Sequence, residues 1–139
     1  MRENLQELGH QLLKEEGPEA WGIRVLEKLK TGENYVIEGM RNPGDVIAFR
    51  KKFQAEFYLV GIAASDENRF QRYLSQVKDG SRSTYEDFKA TDAQDRGIEG
   101  KGQTTEIVFQ MTDTNLENNS SLYDFKEKVD AFIKSLAEP

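Results

Sequence analysis

The octapeptide Phe57-Tyr58-Leu59-Val60-Gly61-Ile62-Ala63-Ala64 constrains this chain more than any other stretch. A run that is almost continuously apolar over that length reads as a strand covered on both faces, which is the environment of a parallel sheet. Parallel strands cannot be joined by a tight turn. They need crossover segments, usually helices that then cover the sheet, so the expected class is α/β with right-handed crossovers. The run is also far too short to span a bilayer.

The flanking sequence supplies the helices. Leu5, Leu8, Leu12 and Leu13 form a stripe at helical spacing that Gly17-Pro18 stops. Trp21, Val25, Leu26 and Leu29 form a second, ended by Thr31-Gly32 ahead of a short predicted strand, Tyr35-Val36-Ile37, that closes on Glu38-Gly39. Asn42-Pro43 reads as an N-cap with proline in the first helical position, followed by an apolar face of Val46, Phe49 and Phe53. After the main strand, Ser65 with Asp66 and Glu67 caps a helix whose inward face is Phe70, Tyr73, Leu74 and Val77, broken at Gly80. From about 79 to 102 the chain is polar and glycine-bearing, and reads as a mobile, lid-like excursion in which only Thr84 to Phe88 looks like a capped helical start. Gln103 to Met111 reads as helical and Thr114 to Asn118 as a short strand. Ser120 or Ser121 caps a last helix with Leu122, Phe125, Val129, Phe132, Ile133 and Leu136 on one face. The expected architecture is a small parallel sheet with helices on both faces, in a single domain over 1–139.

Composition removes several functions. With 25 acidic against 19 basic residues the net charge is −6, which argues against sequence-independent binding to nucleic acid or to an anionic membrane. There is no cysteine, hence no disulfide framework and no thiolate metal site, and cytoplasmic residence is expected. His10 is the lone histidine and has no spaced acidic cluster to make a zinc site, so no metal is expected and the ring is read as facing solvent. Trp21, Tyr35 and Tyr58 fit apolar patterns and are read as core rather than as stacking platforms for a base.

Taken in order, Tyr35 to Gly44, the helix after it, the strand Leu59 to Ala64, Arg69 and Arg72, then Thr112-Asp113, Asn118-Asn119 and the final helix resemble the P-loop nucleotide kinases, in particular dephospho-CoA kinase-like and deoxynucleoside monophosphate kinase-like domains. Arg2 to Gly9 resembles the substrate-side helix of that family. The family's opening strand, its glycine-rich loop ending Gly-Lys-Ser/Thr and the following helix are absent from these 139 residues. Gly97 to Thr105 holds glycine, lysine and threonine at the wrong spacing and without a buried strand before it.

The resemblance implies roles. Glu38, at a strand end, is the catalytic candidate, acting through magnesium-bound water or on a substrate hydroxyl; the alternative is a turn carboxylate pairing with Arg41. Arg41, beside a helix N-terminus, is a phosphate-ligand candidate. Arg69 and Arg72 share a helix face and with Arg82 correspond to lid arginines, although Gln76 and Lys78 stand where the family usually shows further arginines. Arg2 and Arg24 are candidates for a substrate monophosphate. Mg-ATP is implied only if another segment supplies a phosphate-binding loop. Two readings follow: a nucleotide kinase-like protein inactive in phosphoryl transfer as an isolated chain, with a nucleotide or dephospho-CoA as ligand, or a non-catalytic nucleotide-binding or protein-interaction domain. In the related fold the absent strand is central, so exposed sheet edges are expected to lead either to a rearranged sheet or to a homodimer.

Overall fold

The computed structural model describes residues 11–76, 84–97 and 104–137. Helix α1 occupies 11–16, followed by α2 (Ala20–Leu26), α3 (Pro43–Phe53), a short 3-10 turn (Gln54–Glu56), β1 (Val60–Ala63), α4 (Asp66–Gln76), α5 (Tyr85–Arg96), α6 (Thr105–Gln110), β2 (Thr114–Glu117) and α7 (Leu122–Ala137). β1 and β2 form a parallel two-stranded sheet in the register Val60 to Thr114, Gly61 to Asn115, Ile62 to Leu116 and Ala63 to Glu117. The class is the α/β one expected, with a small parallel sheet flanked by helices. The chain divides into two compact units, one of the described residues within 1–59 with Gln94–Met111, the other of those within Val60–Ala93 and Thr112–Pro139.

The first unit is built on α3. Asn42 caps it as the Asn-Pro pair predicts: its Oδ1 accepts the Gly44 N–H at 3.2 Å, while its Nδ2 donates to the Pro18 carbonyl at 2.6 Å and so ties the start of α3 to the turn before α2. α2 turns its small residues, Ala20 and Gly22, toward α3 and leaves Trp21, Ile23 and Val25 outside. The approach is close enough that a Cβ on Gly22 would lie 2.9 Å from the Asp45 Cα and 3.0 Å from the Ala48 Cβ. The Gly22 N–H donates to Asp45 Oδ1 at 2.8 Å; burial pushes that carboxyl up, and the hydrogen bond partly offsets the shift. On its other side α3 buries Val46 with Leu59 and Val108, and Met40, Phe57 and Met111 pack around them. Burying Val46 completely contributes on the order of 2 kcal/mol.

The second unit holds the sheet, α4, most of α5, and α7. Phe88 of α5 is buried against Phe70 and Tyr73 of α4, with ring centroids 5.5 and 5.7 Å apart. Both later helices open on reciprocal caps. The Thr84 N–H donates to Asp87 Oδ2 at 2.9 Å and the Asp87 N–H returns to Thr84 Oγ1 at 3.1 Å; Ser121 and Asp124 repeat the pattern at 3.2 and 3.1 Å. The capping hydrogen bonds favour the ionised acids, so Asp87 and Asp124 both sit below the ordinary carboxylate value.

Three expectations change. Tyr35-Val36-Ile37 forms no strand among the described residues, because β composition creates a strand only where a partner completes its ladder. The helical start at Thr84 does not stop at Phe88 but runs to Arg96, because Phe88 finds an aromatic pocket that the polar local sequence does not disclose. Trp21, Tyr35 and Tyr58 are 41, 42 and 49% exposed rather than core, since in α2 the small residues take the inward positions. Leu5, Leu8, His10, Val77, Lys78, Gly80 and the stretch 98–103 lie outside the described residues.

Candidate functional site

Open parallel sheets place ligands beyond the carboxyl ends of their strands. Here β1 ends at Ala63 and β2 at Glu117, and the chain itself fills the space between. The Asn118 N–H extends the ladder to the Ala63 carbonyl at 2.7 Å. Asn119 Oδ1 accepts the Ser65 N–H at 2.7 Å, and Asn68 Nδ2 donates to Ser65 Oγ at 3.0 Å and to the Asn119 carbonyl at 3.3 Å. Asparagine suits this junction because its amide both accepts from and donates to backbone groups that have left the ladder.

The arginines read from the sequence as phosphate ligands lie partly here, and they are engaged. Arg72 Nη2 donates to the Asn118 carbonyl at 2.8 Å and to its Oδ1 at 3.2 Å. Arg69 pairs with Asp66 at 2.6 Å and with Asp92, and its guanidinium lies 5.5 Å from the centre of the Phe88 ring. Lys89 adds a second cation on Asp66 at 2.7 Å. Two cations thus face two carboxylates. The Lys89 and Arg69 hydrogen bonds hold the Asp66 carboxyl down to about 2, and Lys89 is raised by the same contact. Desolvation lowers the Arg69 value, but its two carboxylate partners outweigh that and the net shift is upward.

The remaining candidates do not join this cluster. Glu38 lies exposed in a segment without regular secondary structure rather than at the end of a strand, since that strand does not form. Arg41 is exposed one residue before the α3 cap, where its carbonyl accepts the Thr104 hydroxyl at 3.0 Å. Arg24 pairs with Glu16 at 2.6 Å and lies 5.9 Å from the centre of the Trp21 ring. Arg2 and Arg82 lie outside the described residues. Sequence reading missed the partners, Asp92, Lys89 and the two asparagines. The i, i+3 spacing of Asp66 and Arg69 is the one signal that pointed to an internal pair. Among the described residues no cluster of three or more acids or histidines is placed to hold a metal ion, and no helix is long and apolar enough to cross a membrane.

A second feature lies on the other side of the sheet. The register points the N–H and C=O of Gly61 and Ala63 toward β2, and those of Val60 and Ile62 the opposite way. Among the described residues no strand pairs with that outer edge. β1 carries no charged residue, and its Ile62 is 60% exposed. β2 differs. It exposes Asn115 and Glu117, and the Glu117 carbonyl receives Lys128 Nζ at 2.9 Å. By composition β1 is an interior strand and β2 a guarded edge.

These features define a small α/β protein with a self-satisfied strand-end junction and one open sheet edge. The chain is similar over nearly its whole length to archaeal proteins of the UPF0200 group. It is 31% identical over 140 residues to a UPF0200/UPF0201 protein of Archaeoglobus fulgidus, covering 98% of this chain but 42% of that relative. It is 29% identical over 139 residues to a UPF0200 protein of Pyrococcus furiosus, covering 96% of this chain and 72% of the relative, and 25% identical over 129 residues to one of Methanothermobacter thermautotrophicus. The chain thus spans well under half of the Archaeoglobus relative's length. No protein-family model matches the chain, and no solved structure does.

These findings overturn the assignment to the P-loop nucleotide kinases: the relatives carry UPF0200 names, and no kinase family is among the matches. The motifs behind that assignment are short, and one of them, Asn42-Pro43, is a helix-start signal that many chains use.

Proposed function

We propose that this chain is a non-catalytic protein-interaction domain whose binding element is the open edge of β1. The observation that carries the reading is the outward-facing main chain of Val60 and Ile62 in a strand that has no charge and leaves Ile62 60% exposed. Such an edge holds an extended polypeptide through main-chain hydrogen bonds. A nucleotide role has less support, because Arg69 and Arg72 already donate to groups of the same chain and would exchange those contacts for a phosphate's. Phosphoryl transfer by the isolated chain is not expected, and the absence of cysteine supports cytoplasmic residence.

Calorimetric titration with Mg-ATP, deoxynucleoside monophosphates and dephospho-CoA tests the reading. No heat of binding is expected, whereas a synthetic β-strand peptide rich in valine and isoleucine is expected to bind and to slow hydrogen exchange at the Val60 and Ile62 amides. Micromolar binding of any of the nucleotides without peptide uptake would replace the interaction reading with a nucleotide-binding one.

A further inference from the structure

We infer that the strand taken up at this edge is β1 of a second copy, paired antiparallel about a two-fold axis through Gly61. This rests on reading the β1 edge as a protein-docking site. The two residues whose main chain points outward, Val60 and Ile62, lie symmetrically on either side of Gly61. In an antiparallel pair, opposed residues alternate between those that exchange two hydrogen bonds and those that exchange none. A two-fold at Gly61 therefore sets Val60 opposite Ile62 of the partner subunit, and Ile62 opposite the partner subunit's Val60, each in the hydrogen-bonding phase. All four outward N–H and C=O groups of each copy are then satisfied. Gly61 meets its own image in the non-bonding phase, where Cα atoms approach to about 4.5 Å and no side chain stands between them.

Side-chain chemistry agrees with this register. Residues 60 and 62 project to the same face, so Ile62 gains a β-branched neighbour as cross-strand pairs prefer. No charge lies within Val60–Ala63, so the pairing brings no like charges together although each copy carries a net −6. The sheet's other edge is a poor competitor, because Glu117 is charged and its carbonyl is engaged by Lys128. The product is a four-stranded sheet, β2-β1-β1-β2, in which the unguarded strands have become interior. Isologous pairing of one surface on its own copy is the commonest route to a dimer. An edge of four residues makes that dimer reversible and concentration-dependent.

The test combines sedimentation velocity with cysteine pairing in a chain that has no cysteine of its own. The full chain is expected to shift from monomer to dimer as concentration rises, and Ile62→Lys, checked for unchanged circular dichroism, to lose the shift. The double variant Val60→Cys/Ile62→Cys is expected to form a disulfide-linked dimer under mild oxidation, and either single variant far less of it. Equal cross-linking by a single variant, or a dimer that Ile62→Lys leaves intact, overturns this register. A chain that stays monomeric yet binds the β-strand peptide overturns the self-pairing while leaving the edge as a docking site, and nucleotide binding alone would overturn the docking reading beneath it.

Discussion

Gly44 sits where a side chain has no room, since a Cβ there would lie 1.9 Å from the Pro18 carbonyl oxygen. Gly44→Ala is expected to cost about 3 kcal/mol, because that oxygen belongs to a backbone that Asn42 also holds; chemical denaturation measures the loss. Gln54 presents the opposite case. It ends α3 at φ 50° and ψ −118°, a conformation that suits glycine, and its side chain is exposed. Relief of the strain outweighs glycine's greater freedom in the unfolded chain, so Gln54→Gly is expected to stabilise by about 0.5–1 kcal/mol, read as a rise in the denaturation midpoint. Asp66 links stability to pH. Its folded value of about 2 lies below its ordinary 3.8, so its contribution is complete above about pH 4 and is lost as the pH falls toward 2. Acid titration of the wild type is expected to show more loss in that window than titration of Asp66→Asn. Of these residues, the sequence discloses the Asn42 cap and the Asp66 to Arg69 spacing, since both are local. The Gly44 approach and the Asp92 partner depend on atoms more than twenty residues away, and nothing local reports them.

At the scale of elements, α3, α4 and α7 were legible because each has its own periodicity and its own start signal, and β1 because of its apolar run. The failures share one cause, a partner remote in sequence. Tyr35 to Ile37 has β composition but no neighbouring strand; instead the Tyr35 hydroxyl accepts the Lys30 N–H at 2.9 Å and donates to Glu33 at 2.7 Å, folding the segment's start into a local turn. α5 looks like a polar excursion until Phe88 is placed against Phe70 and Tyr73. Phe88→Ala is therefore expected to cost about 3 kcal/mol and to free the amides of α5 for exchange. That result would show the helix to be part of the folded unit and not a detachable lid, and unchanged α5 protection would refute it.

For the molecule as a whole, the candidate site was legible only in outline. Arg69 and Arg72 were singled out as lid arginines and Glu38 as the strand-end acid, but it was not foreseen that the two arginines sit at the ends of β1 and β2, where the chain's own asparagine and carboxylates already engage them. Outward main-chain groups on β1 follow from strand register, which no single-sequence pattern reports. If the edges of two copies pair, the Ile62→Lys variant is expected to elute as a monomer at concentrations where the wild type does not. The cap on α3 has one more consequence, which concerns how the protein ages. An asparagine deamidates when the nitrogen of the next residue, freed of its hydrogen, attacks the side-chain amide. Pro43 follows Asn42 and its nitrogen has no hydrogen to lose, so the amide that joins α3 to the Pro18 turn is shielded from that chemistry. Asn119 is followed by Ser120 and has no such shield. In stored protein, isoaspartate is therefore expected at Asn119 of the strand-end junction well before any change at Asn42, and the α3 cap stays intact.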